Sequence, residues 1–496
     1  MQTIAIPDEH FRLLVRRTLL LASLYLLILK ISLSEFIVFD PDIYWHLASG
    51  KWMVEQGAIP TTDHFSQYGQ GKDWVAYSWL FELLVYGLFK LFGSFGLVIY
   101  VAVLTMGITT ALLLLMRKLE PNPGFLIGLT ALCVVAMAPL LMTPRPWLFT
   151  ILFFIIELDI LLSVRRTENQ RYLFMLPVLF MAWANLHIQF IYGLFVAGVF
   201  LIEPVIEASF KKPFSVKTIA ASFELKAWLV LLLCFLVTLI NPYHIKLWWT
   251  IFDTIRQQGP YAYVTELQAM SFRSFSDWAV LGLTIGGAYL LGKTKKIRPF
   301  LVIIFLVGVF VSFRTLRDGW FVSLSALIII ASSHPIPSIS ERSQIPKKHI
   351  LITTLIVSLF LMIWIPQKNL TNAGLAEITA KRYPMDAVNF IKSHTYSGPL
   401  YNDYTWGGFL IWHLPQFKVS VDGRSNLHGD ERLDQSVKTW GGDKSWVNDP
   451  ELANAKLVIA AVSMPLSSLL KLDKRFELVY EDAVATVFIA KSTHER

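Results

Sequence analysis

Eleven apolar segments occupy most of the first 366 residues and constrain the fold more than any other feature. They lie at 17–38, 95–116, 125–142, 147–164, 172–184, 187–207, 225–242, 276–292, 298–313, 318–333 and 350–366. A membrane-crossing helix needs roughly 20 apolar residues, and most of the segments reach or approach that length. Charged residues make up only 16% of the chain, whereas a soluble domain carries about 25%. We therefore predict an all-α polytopic membrane domain, with about eleven transmembrane helices, over residues 1–366.

The basic residues predict how these helices are oriented. If the N-terminus is cytoplasmic, every second connection is basic, which is the positive-inside pattern. The cytoplasmic basic residues are then Arg12, Arg16, Arg17, Arg117, Lys118, Arg165, Arg166, Arg171, Lys211, Lys212, Lys217, Lys293, Lys295, Lys296, Arg298, Arg342, Lys347 and Lys348. The formal net charge of +8 is thus mostly a topology signal, and no nucleic-acid partner is expected.

Three regions face the outside in this topology: 40–94, 243–275 and 367–496. The first contains a strongly apolar stretch, 78–92, that also carries Glu82 and Lys90. This combination is typical of a helix that lies in the membrane interface. The third region has a soluble composition and about 130 residues, which suits one small domain.

This C-terminal region, 367–496, is predicted to be a small extracytoplasmic α/β domain. Helical patterns lie at 385–393 and at Pro465–Leu472, short strands at 399–401 and 418–422, and an apolar run at 457–462. Two further strands, 476–480 and 483–490, bracket a turn as in a hairpin. The two cysteines, Cys133 and Cys234, both lie in apolar segments, so no disulfide framework is expected.

The sequence Asp40-Pro41-Asp42 directly follows the first apolar segment. Asp40 as N-cap, Pro41 as the first helical residue and Asp42 in the first turn would together begin a helix that runs to about Val54. However, Asp42, His46 and Ser49 recur at helical spacing and share one face. Acidic residues at a membrane boundary are also typical of a functional site. Capping and function therefore both remain open.

Other polar residues of the outer connections are candidates for binding. Asp63 lies in Asp63-His64-Phe65-Ser66, where a turn is the simplest interpretation, and Glu266 is a lone acid in the second outer region. Arg145 and Arg317 run against the positive-inside trend. They either extend to the interface and pair with acids such as Asp318, or bind an anionic phosphate.

The layout resembles the GT-C superfamily, polytopic glycosyltransferases that use polyprenyl-phosphate-linked sugars. Protein O-mannosyltransferases and the catalytic subunit of oligosaccharyltransferase belong to it. Asp40-Pro41-Asp42, with Tyr44 and His46, looks like the acidic motif of the first outer loop. Asp63-His64-Phe65-Ser66 occupies the place of a later Asp-bearing stretch, and Val264-Thr265-Glu266 is similar to a glutamate motif in a later outer loop.

The C-terminal domain carries Asn402-Asp403-Tyr404-Thr405-Trp406-Gly407-Gly408 and then Val421-Asp422-Gly423-Arg424. These stretches look like a block that recurs in uncharacterised bacterial proteins of the same layout. They depart from the Trp-Trp-Asp motif with which oligosaccharyltransferases read an acceptor sequon, so asparagine-linked transfer to proteins is not expected.

The resemblance implies a membrane glycosyltransferase that transfers a sugar from a polyprenyl phosphate to an extracytoplasmic glycan, lipid or protein hydroxyl. It also implies a bacterial cytoplasmic membrane as the location. Asp42 or Asp40 would be the catalytic acid, while His46, Asp63, Arg145, Arg317 and Glu266 would bind substrate. Either Asp42 is a general base, or Asp40 and Asp42 hold a divalent cation, Mg²⁺ or Mn²⁺. We favour a division in which Asp40 caps the helix and Asp42 performs the chemistry.

Two other classes of function remain open. A lipid-linked-sugar transporter, or flippase, would carry ionisable residues in the middle of its membrane helices, and Asp159 is one of few such residues here. A non-catalytic protein of envelope-polysaccharide assembly would use the C-terminal domain as its binding module.

Overall fold

The computed structural model describes residues 9–120, 122–210, 224–294, 298–333, 345–364 and 370–491. The first helices in chain order are α1 (Glu9–Ser32), α2 (Phe36–Phe39), α3 (Asp42–Gln56), α4 (Trp79–Phe92), α5 (Phe95–Leu119), α6 (Pro123–Ala136), α7 (Ala138–Leu141), α8 (Trp147–Thr167), α9 (Leu176–Leu186), α10 (Phe190–Ser209) and α11 (Leu225–Val237). They are followed by α12 (Ile245–Arg256), α13 (Gly259–Tyr263), α14 (Phe275–Lys293), α15 (Pro299–Arg314), α16 (Gly319–Ser333), α17 (Lys347–Trp364), α18 (Asn372–Arg382), α19 (Met385–Lys392), α20 (Gly407–His413), α21 (Ser425–Trp440), α22 (Pro450–Asn454) and α23 (Pro465–Leu472). The chain is therefore mostly helical.

The chain divides into two compact units. The first consists of Met1–Ser34, Val101–Asn241 and Glu266–Lys368, and the second of Glu35–Tyr100, Pro242–Thr265 and Asn369–Arg496. The second unit thus gathers most of the three regions that the basic residues place outside the membrane. Its members are far apart in sequence.

The first unit is a bundle of apolar helices. Five helical segments of the described chain are long and apolar enough to cross a membrane: Phe11–Phe39, Phe95–Leu119, Trp147–Thr167, Phe190–Ser209 and Leu316–Ser333. Helix α17 leaves Leu355, Ile356 and Leu359 more than half exposed. Apolar surface of this extent is expected where a protein faces lipid.

Each of the eleven predicted spans overlaps a helix, but the count of eleven crossings remains a prediction. Three overlapping helices, Pro123–Ala136, Leu225–Val237 and Pro299–Arg314, are apolar but shorter than a full crossing. The last two residues of the predicted span 350–366 lie outside the described residues, as do Lys211, Lys212, Lys217, Lys295, Lys296 and Arg342 among the predicted cytoplasmic basic residues.

Small residues bring helices of this bundle close together. Helices α14 and α15 both pack against α16. A Cβ on Gly287 would lie 3.1 Å from the Phe305 ring and 3.2 Å from the Ala326 Cβ. Similarly, a Cβ on Gly308 would lie 3.2 Å from the Val322 Cα. Small interface residues allow this close approach, which is a common basis of helix packing in membranes.

The C-terminal part of the second unit contains a four-stranded sheet of strands β1 (Leu400–Asn402), β2 (Leu457–Ala461), β3 (Phe476–Glu481) and β4 (Ala485–Ala490). The strand order is β1-β2-β4-β3, with β1 parallel to β2 and the other pairs antiparallel. Side chains from the sheet and from α21 and α23 form its core, which includes Tyr401, Trp440, Leu470 and Phe488. This small α/β architecture agrees with the predicted fold of the region.

The strand predicted at 418–422 is wrong. Its residues do not join the sheet, and Val419 instead forms an isolated bridge with Ser66. The Val419 N–H donates to the Phe65 carbonyl at 3.1 Å, and the Val419 carbonyl accepts from Gln67 N–H at 2.9 Å. The segment therefore uses its backbone hydrogen bonds to hold residues of the first outer region.

Candidate functional site

The two aspartates of Asp40-Pro41-Asp42 have different environments. Asp40 Oδ1 accepts the Asp42 backbone N–H at 3.0 Å, and only 6% of Asp40 is exposed. Helix α3 begins at Asp42, with Pro41 in the N-cap position, one residue later than predicted. Asp40 nevertheless satisfies a backbone donor of the first turn, as a capping residue does. Asp42 is partly buried in that turn.

A segment of the C-terminal region packs directly on Asp42. We call Val421-Asp422-Gly423-Arg424 the 421–424 segment. A Cβ built on Gly423 would overlap the Asp42 carboxylate, and one on Gly408 would overlap the Pro41 carbonyl oxygen. Glycine is thus needed at Gly408 because the Pro41 backbone approaches so closely, whereas at Gly423 the Asp42 carboxylate occupies the place of a Cβ.

The 421–424 segment is held by the other half of the sequence block. The Asn402 side-chain amide donates to the Val421 carbonyl at 2.8 Å, and Asn402 Oδ1 accepts the Ser420 N–H at 2.9 Å. A Cβ on Gly407 would overlap the Val421 carbonyl oxygen. The stretches 402–408 and 421–424 therefore form one packed structure beside the acidic motif.

Arg424 forms the centre of a buried ion network. Its guanidinium donates to both Asp422 oxygens, at 2.8 and 2.7 Å, and to Asp63 Oδ1 at 2.5 Å. These three side chains are at most 1% exposed. The His428 ring also approaches Asp422, with Nε2 at 3.3 Å from Oδ2. Burial alone would raise the pKa of Asp422, but Arg424 and His428 hold it well below its usual range.

Asp63, predicted to bind substrate, has a carboxylate with several protein partners. Besides Arg424, it accepts the Phe65 N–H at 3.1 Å and the Ser66 N–H at 3.0 Å. The turn expected at Asp63-His64-Phe65-Ser66 is therefore present. A direct contact between Asp63 and substrate stays a prediction.

His46 and Ser49 share one carboxylate partner, Glu82 of α4. His46 Nδ1 lies 3.2 Å from Glu82 Oε1, and Ser49 Oγ donates to Glu82 Oε2 at 2.5 Å. The predicted common face of α3 thus packs against α4. Burial raises the pKa of Glu82 to about 8, although the Ser49 hydrogen bond and the Arg424 charge act in the opposite direction. Sequence reasoning placed Glu82 on an interfacial helix and gave it no role.

Arg145 and Arg317 come together in the first unit, around the ring of Trp147. Their guanidinium carbons lie 5.2 and 5.8 Å from the ring centroid, within the range of cation–π attraction. Trp147 is the first residue of α8, and its Nε1 donates to the Leu140 carbonyl at 2.8 Å. We call Arg145, Trp147, Arg317 and Glu266 the arginine cluster.

Glu266 belongs to this cluster because it forms an ion pair with Arg317. Burial alone would raise the pKa of Glu266, but the charges of Arg317 and Arg145 hold it below its ordinary value. Asp318, the acid suggested as a partner for the arginines, accepts hydrogen bonds from Gln189, Tyr192 and Thr315. The cluster thus combines two guanidinium groups with one carboxylate.

The predicted site residues fall into two sets, one in each unit. Asp40, Asp42, His46 and Asp63 belong to the second unit, and Arg145, Glu266 and Arg317 to the first. Among the described residues, no group of three or more histidine, cysteine or acidic side chains is arranged to hold a metal ion. Binding of a divalent cation by Asp40 and Asp42 stays a prediction.

Sequence reasoning assigned no role to Gly423 and Arg424. The signal was present, because the block that contains them was recognised as a pattern. What was missing was the partner of each residue, since Asp42 and Asp63 lie more than 350 positions away in the chain.

Comparisons with known proteins give similarity to solved structures only. No protein-family model matches the sequence, and no curated protein matches it. Among solved structures, the chain is similar to ArnT from Cupriavidus metallidurans, determined with undecaprenyl phosphate bound. The sequences are 14% identical, the match covers 96% of this chain and 98% of ArnT, and the TM-score is 0.45. Values this low leave the fold and function to be argued from the residues of the chain itself.

Proposed function

We propose that this protein is an integral-membrane glycosyltransferase of GT-C type. It would transfer a sugar from a polyprenyl phosphate to an acceptor hydroxyl outside a bacterial cytoplasmic membrane. The observation that carries the proposal is the arginine cluster at the beginning of the apolar helix α8. Both guanidinium groups lie at the Trp147 ring and act together on the Glu266 carboxylate. Guanidinium groups bind phosphate oxygens well, so the cluster suits the phosphate of a lipid-linked donor.

We assign Asp42 to the activation of the acceptor hydroxyl. Its carboxylate would take the proton of the acceptor hydroxyl as the acceptor oxygen bonds to the anomeric carbon of the sugar. The bond between that carbon and the phosphate oxygen breaks, and polyprenyl phosphate leaves with the electron pair. The charge that develops on this leaving group must be stabilised by positive groups. Asp40, whose carboxylate accepts the Asp42 N–H, would position the start of α3.

The mutational test separates the two aspartates. Asp42→Asn and Asp40→Asn would be assayed with polyprenyl-phosphate donors carrying a labelled sugar, using envelope extract as the source of acceptor. We expect Asp42→Asn to lose at least about 100-fold in transfer rate, the lower range for loss of a general base. Asp40→Asn should retain more activity, because asparagine also caps helices. Full transfer by Asp42→Asn would remove this acid from the mechanism.

Chelation distinguishes the two roles left open for the acidic pair. If Asp42 is a base, transfer by the wild-type protein continues in EDTA. If Asp40 and Asp42 hold Mg²⁺ or Mn²⁺, transfer stops in EDTA and returns when the cation is added. The second outcome would replace the general-base role with a metal-binding one.

The donor role of the arginines has its own test. Binding of undecaprenyl phosphate to the purified protein can be followed by native mass spectrometry. Arg145→Gln and Arg317→Gln should each weaken binding about tenfold or more, because a charge-assisted hydrogen bond contributes about 1.5–3 kcal/mol. Arg256→Gln, which changes an exposed arginine of α12, is the control. Equal binding by all variants would place the lipid phosphate elsewhere.

A transporter of lipid-linked sugars is the second candidate, and Glu157 is the observation that favours it. This residue of α8 is fully buried, and none of the described side chains gives its carboxyl a hydrogen bond. A Cβ on Gly193 would lie 2.6 Å from Glu157 Oε2, so the acid faces α10 in the helix bundle. Asp159, by contrast, is paired with Lys118 at 2.5 Å. A transporter would leave the sugar–phosphate bond of its substrate intact.

A further inference from the structure

We propose that the 421–424 segment of the C-terminal region positions the Asp42 carboxylate, with Gly423 as the contacting residue and Arg424 as the residue that fixes the segment. This inference rests on the proposed function, in which Asp42 acts on the acceptor. It assigns the C-terminal region a part in catalysis beyond that of a binding module.

The first argument is the fit at Gly423. A Cβ at this position would overlap Oδ1 and Cγ of Asp42, and would lie 3.1 Å from Oδ2. Gly423 is not among the glycines with positive φ, so other residues could adopt its backbone conformation. The space that a Cβ would fill at this position is therefore occupied by the Asp42 carboxylate. The segment thereby closes one side of the carboxylate and limits the positions that it can take.

The second argument is that Gly423 itself is held rigidly. The residue before it, Asp422, is bound through both carboxylate oxygens by the residue after it, Arg424. The Arg424 N–H also donates to Asp422 Oδ1 at 2.9 Å. Arg424 then reaches Asp63 and lies over the Trp74 ring, 4.8 Å from its centroid. Bidentate arginine–carboxylate pairs fix geometry as well as energy.

A third observation is that a second glycine of the C-terminal region, Gly408 in α20, also approaches the start of α3. Gly408, in the first turn of α20, packs on the Pro41 carbonyl oxygen. A Cβ built on Gly408 would lie 3.3 Å from the Cδ1 atom of Trp45. Tyr44 of α3 and Phe409 of α20 form an edge-to-face pair with ring centroids 5.2 Å apart. The start of α3 is thus bounded by two stretches of the C-terminal region, and Asp42 lies in sequence between Pro41 and Trp45, the two residues that Gly408 approaches.

A double-mutant cycle tests the contact without requiring activity. The free energy of unfolding, or the melting temperature of the full-length protein in nanodiscs, would be compared for Gly423→Ala, Asp42→Ala and the double variant. Gly423→Ala should lower the melting temperature of the wild type, but much less when residue 42 is alanine, because the added methyl group then has room. Additive effects would overturn the proposed contact.

Transfer kinetics test the positioning role. Gly423→Ala should lower kcat about 10- to 100-fold with little change in the KM for donor, since small displacements of a reacting group have effects of this size. The midpoint of the acid limb of the pH–rate profile should also shift, because the surroundings of Asp42 change. Arg424→Lys keeps the charge but loses the bidentate geometry, and it should shift the midpoint of the acid limb as well.

Gly96→Ala provides a matched control. A Cβ on Gly96 would overlap the backbone carbonyl oxygen of Leu88, so this variant also suffers a clash, here with backbone, at the beginning of α5. It should lower stability without moving the pH midpoint. An unchanged pH midpoint and kcat in Gly423→Ala would overturn the positioning role while leaving the proposed transferase intact. Absence of transfer in the wild type would overturn the proposed function, and the double-mutant cycle would still report on the contact.

Discussion

At the scale of single residues, the proposed division of roles between Asp40 and Asp42 depends on local geometry. A short polar side chain that accepts a backbone N–H two residues later is a local interaction, so a capping role for Asp40 was predictable from the sequence. The partner of His46 was not, because Glu82 is 36 residues away. The spacing of the polar residues along α3 identified a shared face, but the sequence of that helix does not show which residue would contact this face.

Glu82 leads to a prediction about pH. Burial raises its pKa in the folded protein to about 8, whereas an unfolded chain has a glutamate pKa of about 4.3. The folded state therefore holds a proton that the unfolded state has lost, and the stability from this group decreases as the pH rises through that window. His46, Ser49 and the Arg424 charge surround the same carboxyl.

We expect the melting temperature of the wild type to fall between pH 5 and 8, and Glu82→Gln to flatten this dependence, because glutamine stays neutral and keeps hydrogen-bonding capacity. Differential scanning fluorimetry across the pH range measures this. Glu377→Gln, at an exposed residue of α18, is the control and should keep the wild-type slope. If Glu82→Gln has the wild-type slope too, Glu82 is not the group that titrates.

At the scale of helices and strands, local patterns predicted most elements. The helix Pro465–Leu472 has the predicted bounds, and the hairpin of β3 and β4 lies where alternating residues bracket a turn. The segment 418–422 has a strand-like sequence but pairs with residues of the first outer region. The strand prediction for this segment failed because local pattern does not determine the pairing partner of a strand, which long-range contacts set.

The packing of α3 on α4 leads to a second prediction. The two helices approach closely at Gly50. A Cβ built on Gly50 would overlap the Glu82 carbonyl oxygen and lie 2.7 Å from the Tyr86 Cβ. Gly50→Ala should therefore destabilise the protein by about 1–3 kcal/mol, as overpacking of a tight interface does. Gly87→Ala on α4, where nothing lies within 4 Å of the added methyl group, should be neutral or stabilising. Thermal unfolding of both variants makes the comparison, and equal losses would contradict it.

At the scale of the whole molecule, regions far apart in sequence join in the second unit. Hydropathy and basic residues predicted which regions leave the membrane, because these signals depend on composition alone. They did not predict that the first outer region would pair with the C-terminal region through Asp63 and Arg424. An ion pair between residues 361 positions apart has no signature in either stretch.

This network predicts unequal effects of two substitutions. Arg424→Met removes the guanidinium and leaves the Asp63 and Asp422 carboxylates buried together, which should cost about 3–5 kcal/mol. Asp63→Asn leaves the Arg424–Asp422 pair intact and should cost less. Melting temperature and the resistance of the C-terminal region to trypsin report on both variants. If Asp63→Asn is as damaging as Arg424→Met, the ion pair to Asp63 carries more of the stability than this account assigns to it.

We propose above all that the protein breaks the sugar–phosphate bond of a lipid-linked donor. The most direct measurement follows a labelled polyprenyl-phosphate sugar in proteoliposomes that contain the purified wild-type protein and an envelope extract on the outside. The account predicts that label passes to an acceptor while free polyprenyl phosphate accumulates. A donor that crosses the bilayer with its sugar still attached would contradict the claim and identify a transporter.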